Sequence, residues 1–380
     1  MAEHDASRGG ENGPVQGALP LTGVRTSELD GGHVVPFPVA LLAFSSVSGV
    51  GYRALYSLVA AYGDDLGRLL GVAPETAVAH LRARKAPKAL VEAVGNLPSG
   101  LVEHAHEHLD QLARKNVHVL GPGELPSRLL RLPGGPRWLF VQGAPATLVR
   151  GPHVAVVGTR KASPAGIDAT SAVVRTMAAY PVTVVSGLAN GIDAAAHARA
   201  LEFGLRNIAF LGHGINIVFP AETARLRERI LEHGGAVATE YLPDERYRRQ
   251  QFVQRNRLQA GLGELVVAVE GQASSGTAHT VRFAAQYGTP VVGLSWPGAG
   301  DLTQLVADTS GGQVLEIFTS AARRELDTMV RSLAERHGHA TDALTLVQRQ
   351  LAHEAACRDL HRDDLLQLQK KIQQLLNERR

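Results

Sequence analysis

Cysteine is almost absent. Cys357 stands alone, so no internal disulfide can form and no cysteine-based zinc site can be built from it. A reducing, cytoplasmic setting is the expectation. Long apolar runs are missing too: none reaches the ~18–20 residues that cross a bilayer, so no membrane association is expected. The first twenty residues, MAEHDASRGGENGPVQGALP, lack the basic-then-apolar pattern of a secretory leader. Lysine is rare. It occupies only positions 85, 88, 115, 161, 370 and 371, so arginine supplies nearly all of the 39 basic residues. Arginine grips phosphate in a flat, bidentate manner that lysine cannot match. The accompanying wealth of alanine and glycine also fits GC-rich codon usage, so only local arginine clusters carry weight. Finally, G-x-G-x-x-G, G-x-x-x-x-G-K-[ST] and H-E-x-x-H do not occur, which disfavours dinucleotide, ATP and zinc-protease chemistry by those routes. No cofactor, metal or catalytic residue is expected.

What is present is 380 residues with a net charge of +3 and 44% apolar content. That is ordinary for a soluble chain of two or three domains. Residues 1–33 are polar, Gly-rich and aperiodic and read as a disordered tail. Residues 34–120 read as an N-terminal helical domain of the helix-hairpin-helix or SAM-like kind, with Leu55, Leu58, Val59 and then Leu66, Leu69, Leu70 at helical spacing. Within it, Gly49-Val50-Gly51 suits a tight turn between helices, and an ordinary connection is favoured there over a phosphate-facing one. A Pro- and Gly-rich connector, packed on the core, covers 121–152.

Over 153–319 the texture changes. Short apolar runs at 154–157, 182–185, 207–211, 236–240, 265–269 and 291–294 alternate with helix-length stretches at 165–179, 191–203, 221–233 and 277–287. Such runs are strands buried on both faces, and the alternation predicts an α/β fold with a doubly wound, mostly parallel sheet. From 320 to 380 the pattern is helical and coiled-coil-like. Leu365, Leu368, Ile372 and Leu375 form a short 3-4-3 seam suited to a partner helix, another copy or the body of the protein.

Ligands of such sheets bind beyond the carboxyl ends of the strands. The unusual residues of this sequence cluster there. Gly158, Thr159, Arg160 and Lys161 follow the first strand and precede a Ser-Pro helix start, a plausible anion site. Ser186 and Gly187 follow the second; Asp193 and His197 beyond them read as a cap and a packed helix residue. After the fourth strand, DERYRRQQFVQRNR (244–257) interleaves five arginines with Tyr247 and Phe252. Cations among aromatics can hold a sugar-phosphate chain while the rings stack on bases. Here Arg255, Asn256 and Arg257 are expected on a loop. Glu270, Ser275 and Gly276 follow the fifth strand and suit a phosphate or ribose cradle, or the carboxylate could orient the arginine loop. The run HAHEH (104–108) has no third ligand in view and reads as a surface helix.

Together, VAVVGTRKASPAG, VSGLANGIDAAAHARAL, FLGHGINIVFPAE, ATEYLP, FVQRNRLQAGL and VVAVEGQASSGTAHTVRFA resemble, in order and spacing, the DNA-processing protein A family, also called Smf. The resemblance covers roughly residues 40–320. It implies a Rossmann-like domain that binds single-stranded DNA, forms a homodimer, and protects incoming strands while loading a RecA-type recombinase. Carried over by motif, Gly158, Thr159 and Arg160 would contact phosphate. Phe252, Arg255, Asn256 and Arg257 would line the strand pocket, with Ser186, Gly187 and Gly276 at its floor. Departures are Asn190 where the family has a cation, FVQRNR for the commoner FPxRNR, and a polar helical tail in place of a winged-helix-like module. Related folds imply an alternative: a regulatory or antitoxin-type defence module that holds a nucleotide and captures a partner protein through its C-terminal helix. The phosphoribohydrolase signature of the wider superfamily is missing. The leading expectation is that Arg160 and the 255/257 pair share one cationic, glycine-floored trough that binds DNA without sequence preference.

Overall fold

The computed structural model describes Leu29 and residues 34–338. The remainder of the 1–33 tail, the 339–380 segment and its Leu365-Leu368-Ile372-Leu375 seam lie outside the described residues. Nine strands follow along the described chain: β1 Val117–Leu120, β2 Leu139–Gly143, β3 His153–Val157, β4 Thr183–Ser186, β5 Arg206–Phe210, β6 Ala236–Thr239, β7 Leu265–Ala268, β8 Val291–Ser295 and β9 Gly312–Glu316. The fold is α/β, with a mixed, mostly parallel sheet and flanking helices. The chain condenses into two units that interleave in sequence, the first made of Met1–Pro145, Leu211–Ile217 and Val237–Leu258, the second of Ala146–Phe210, Val218–Ala236 and Gln259–Arg380.

The second unit contains six of the strands in the order β5-β4-β3-β7-β8-β9, and their pairings are parallel. In order of appearance this is the 3-2-1-4-5-6 arrangement of a doubly wound sheet. The side-chain alternation explains the continuous apolar runs. Val154, Val156, Leu265, Val267, Val292 and Leu294 point into one cluster with Val173, Met177, Ala196, Leu326 and Val330 from the helices Pro164–Met177, Ile192–Glu202 and Ser320–Arg336. The alternate residues Ala155, Val157, Val266 and Ala268 are buried too, so both faces are covered. Tyr180 fastens the last helix: its hydroxyl donates to Asp327 at 2.8 Å and accepts from Arg331 Nε at 3.2 Å. β9, which the sequence does not announce, has only Leu315 buried. It is an edge strand, and its exposed residues lack the apolar run that marks the inner ones.

The first unit packs helices Phe37–Ser46, Tyr52–Tyr62, Pro74–Ala83, Lys88–Gly95 and Leu101–Arg114 with β1, β2, nearly all of β6 and most of helix Arg249–Leu262. β1 and β2 pair antiparallel, Val117 opposite Gln142; the Pro- and Gly-rich connector therefore carries a strand. Phe37, Leu41, Leu42 and Phe44 are buried on a helix opened by Pro36, which suits the start because its missing N–H would be unsatisfied there anyway.

Leu326 is fully buried in the second unit's cluster. Leu326→Ala should cost about 2–5 kcal/mol, read as a lower urea midpoint with an unchanged slope. A loss below 1 kcal/mol would mean that this helix contributes little to the core.

Candidate functional site

In the second unit, β4, β3 and β7 lie side by side, so the loops at their carboxyl ends form one rim. The direction of winding reverses between β3 and β7, the point where such sheets bind ligands. Ser163 opens the helix Pro164–Met177: its Oγ accepts from the Gly166 N–H at 3.0 Å. Glu270, from the tip of β7, binds this loop twice. Its backbone carbonyl accepts from the Thr159 N–H at 2.8 Å and its carboxylate accepts from the Ser163 N–H at 3.0 Å. A methyl group at Gly166 would strike that carboxylate.

The helix N-terminus that the sequence offered to an external anion is thus occupied by the protein's own Glu270, which satisfies the helix dipole from within. Within this unit Glu270 holds the β3 loop through these two contacts. Arg160 and Lys161 remain as exposed side chains on the loop so held.

Several neighbouring residues hold the rim loops to one another. Thr159 Oγ1 accepts from the Lys161 N–H at 3.2 Å, and the Thr159 carbonyl accepts from the Ile192 N–H at 3.1 Å. Gly191, at φ 80°, allows this approach, since a β-carbon there would overlap the Thr159 carbonyl. At Gly158 a β-carbon would meet the Ile192 side chain. Ser186 is buried and its hydroxyl donates to the Val156 carbonyl at 2.6 Å, tying β4 to β3; Gly187 beside it is buried as well. Across the switch point, Ser275 caps the helix Gly276–Tyr287 by position but makes no side-chain cap bond, and its Oγ is buried without a hydrogen-bond partner. Gly276 is exposed, with open space where a β-carbon would stand.

The arginine-rich stretch belongs to the first unit and differs from the expected loop. Residues Arg249–Leu262 form a helix that buries Arg255 and Arg257 on different faces. Gln251, Arg255, Leu258 and Leu262 fall on one buried stripe, with Arg255 only 3% exposed. Arg257 is 2% exposed and its Nη2 donates to Glu240 Oε2 at 2.5 Å. Glu240 also accepts from the Tyr52 hydroxyl at 3.3 Å through its carboxylate, and from Trp138 Nε1 at 2.9 Å through its backbone carbonyl. Burial opposes the charge on Arg257, yet Glu240, Tyr52 and Tyr241 outweigh it and raise its pKa; burial likewise pushes the Tyr52 and Tyr241 hydroxyls up. All three stay in their ordinary charge states at neutral pH.

The exposed cations of this stretch are Arg246, Arg248 and Arg249, just upstream. Tyr247 between them is 47% exposed and its ring lies 6.1 Å from that of Phe252. Phe252 in turn packs on Gly212, where any β-carbon would collide with its ring. The turn is braced by Gln251, whose Nε2 donates to Glu245 at 2.6 Å while its Oε1 accepts from the Arg248 N–H at 2.6 Å. Asn256 is half-buried on the same helix. The 251-255-258-262 spacing was the signal in the sequence that 255 faces inward. On the HAHEH helix, His104 and His106 are exposed. Among the described residues no group of three or more His, Cys, Asp or Glu is placed to hold a metal.

The sequence profile of the DNA recombination-mediator protein A family matches residues 116–309. The chain belongs to that family. Among its relatives, Smf of Escherichia coli is 33% identical over 257 residues, 64% of this chain and 65% of Smf. A putative DNA processing protein DprA of Mycobacterium tuberculosis is 40% identical over 143 residues, 38% of this chain and 36% of that protein. The chain thus spans less than two thirds of the length of these curated DprA relatives. DNA processing protein A of Streptococcus pneumoniae shares the fold, with a TM-score of 0.55 at 24% identity over 74% of this chain and 95% of that one. The Helicobacter pylori DprA, described for its single-stranded DNA binding mode, gives 0.51 at 24% identity over 57% and 97%. The family match ends at residue 309, so β9 and the helix Ser320–Arg336 lie outside it.

Glu240→Gln leaves the Arg257 charge buried without its counter-ion and should cost about 3–5 kcal/mol in urea unfolding. Replacing both by neutral residues, as in Glu240→Gln with Arg257→Met, should recover part of that loss. A single variant as stable as the parent would show that the pair is not desolvated.

Proposed function

We propose that this protein binds and protects single-stranded DNA without sequence preference, and passes the strand to a RecA-type recombinase. The observation that carries the reading is the exposed Arg246-Tyr247-Arg248-Arg249 turn backed by Phe252, in a chain of the recombination-mediator family. Exposed rings stack on any base and exposed guanidinium groups neutralise any phosphate, so such a surface is indifferent to sequence. On the second unit, Arg160 and Lys161 are read as phosphate contacts on a loop shaped by Gly158, Thr159, Ser186 and Gly187, with Ser275 and Gly276 across the switch point. Arg255, Asn256 and Arg257 are read as positioning residues that hold the helix carrying Phe252. The H. pylori relative's single-stranded DNA binding supports the same reading.

A binding role with no chemical step follows, and the homodimer implied by the family resemblance belongs to the same proposal. The nucleotide-sensing alternative draws less support, because a mononucleotide phosphate at the helix Pro164–Met177 would have to displace the Glu270 carboxylate.

The test is titration of fluorescent oligo-dT and a mixed-sequence oligonucleotide at several salt concentrations. Both should bind alike. Replacing Arg246, Arg248 and Arg249 with Ala should lower the log–log salt slope by about two, at ~0.7 per phosphate lost on a single strand. Tyr247→Ala should cost about 1–3 kcal/mol of affinity. An unchanged slope in the triple variant, or tight mononucleotide binding without oligonucleotide binding, would overturn the reading.

A further inference from the structure

Two aromatic rings stand at the carboxyl rim of the second unit, on the far side of the switch point from the β3 loop. Trp296 follows β8 and Phe318 follows β9. These strands are parallel neighbours that stay in register to their last residues, Ser295 opposite Glu316, so both rings leave the sheet at the same level. They meet at 6.0 Å and 65°, edge towards face. Ile317, beside Phe318 in the chain, is fully buried in the second unit's core cluster, and Trp296 packs against the same cluster. The pair is therefore anchored from below. Phe318 nevertheless remains 47% exposed, which leaves an apolar ring in water with nothing gained by its burial.

The surroundings point to the occupant. The helix Ser320–Arg336 begins just after Phe318 and exposes Arg323 and Arg324 near its start. Arg323 Nε donates to the Thr319 carbonyl at 3.3 Å, which keeps that guanidinium beside the rim. On the other side Ala162, next to Lys161, packs on the cluster that carries Trp296. The exposed Arg160 and Lys161 thus belong to the same stretch of rim. β3, β7, β8 and β9 are consecutive in the sheet, and at ~4.8 Å per strand the span from the β3 loop to Phe318 is about 14 Å, a few nucleotides of an extended strand. A protein seated on the rings would have to desolvate the guanidinium groups beside them. Unpaired bases instead bring π faces to the rings and phosphates to the cations. Glu316 and Glu325 are exposed close by in sequence, so stacking rather than net charge has to supply most of the attraction. We propose that Trp296 and Phe318 form a base-stacking platform for the single strand whose phosphates Arg160 and Lys161 contact. This platform presupposes the single-strand binding proposed above and fixes the direction in which the strand runs along the rim.

The experiment uses the full chain, which has two tryptophans. Trp138 is 1% exposed, so Trp296 is the one that acrylamide quenches. Saturating oligo-dT should suppress most of that quenchable fluorescence. In parallel, the anisotropy of labelled oligo-dT reads affinity. Phe318→Ala and Trp296→Ala should each weaken binding by about fivefold or more. Phe318→Leu keeps apolar surface without a ring and should weaken it as much, whereas Phe318→Tyr should bind like the parent. Far-UV circular dichroism of each variant checks that the body remains folded. Parent affinity in both alanine variants, with acrylamide quenching unmoved by oligo-dT, would overturn the platform and leave single-strand binding standing. No oligonucleotide binding by the parent chain would overturn both. A lower oligomeric state of Phe318→Ala in sedimentation, with oligo-dT affinity unchanged, would assign the rings to a second copy and overturn the platform as well.

Discussion

Glu270 is the contact on which the rim of the second unit depends. A carboxylate at the tip of one strand reaches the first turn of the helix that follows its neighbour, and its own backbone carbonyl takes a second N–H from the same loop. This joins the two strands across which the winding reverses, the place where a doubly wound sheet is most open. The arrangement also decides what the rim can bind. A helix N-terminus left empty would favour a compact anion. One filled from inside leaves Arg160 and Lys161 as exposed cations on the loop that Glu270 holds.

The first unit shows a complementary logic in how it divides its arginines. Arg255 and Arg257 lie inside, on a helix buried on more than one face, while Arg246, Arg248 and Arg249, at or before its first residue, stay on the surface. An arginine locked against Glu240 stabilises geometry, whereas an exposed one stays available to a charged partner. Both kinds lie within one short stretch, and the inner pair keeps the helix bearing Phe252 in place.

Much of this was legible in the sequence. The six inner strands and the helices between them follow from apolar runs buried on both faces, and the loops worth inspecting follow from the carboxyl ends of those strands. Two things were hidden. β1, β2 and β9 lie outside that signal, since the apolar run of β1 is broken by the exposed His118, β2 sits in a Pro- and Gly-rich stretch, and the edge strand keeps only Leu315 inside. The inward turn of Arg257 was hidden because a charge looks solvated until its buried counter-ion, Glu240, is known; the two are separated along the chain and meet only through the fold. Glu270 was singled out from its place at a strand tip, but its partner, Ser163 N–H, belongs to another loop and left no mark in the pattern.

The contacts of Glu240 carry one more implication. Tyr52 comes from the helical region, Trp138 from the connector and Arg257 from the long helix, and all converge on that single residue at the end of β6. The covalent chain suggests a detachable N-terminal module followed by a sheet domain, yet the boundary that matters runs through space and gathers three separate stretches of sequence. A fragment begun at residue 153 would retain the acid and its arginine while discarding the indole and phenol that roof them. Water would then reach an ion pair built for a dry interior, and the helix bearing the aromatic platform would lose its footing.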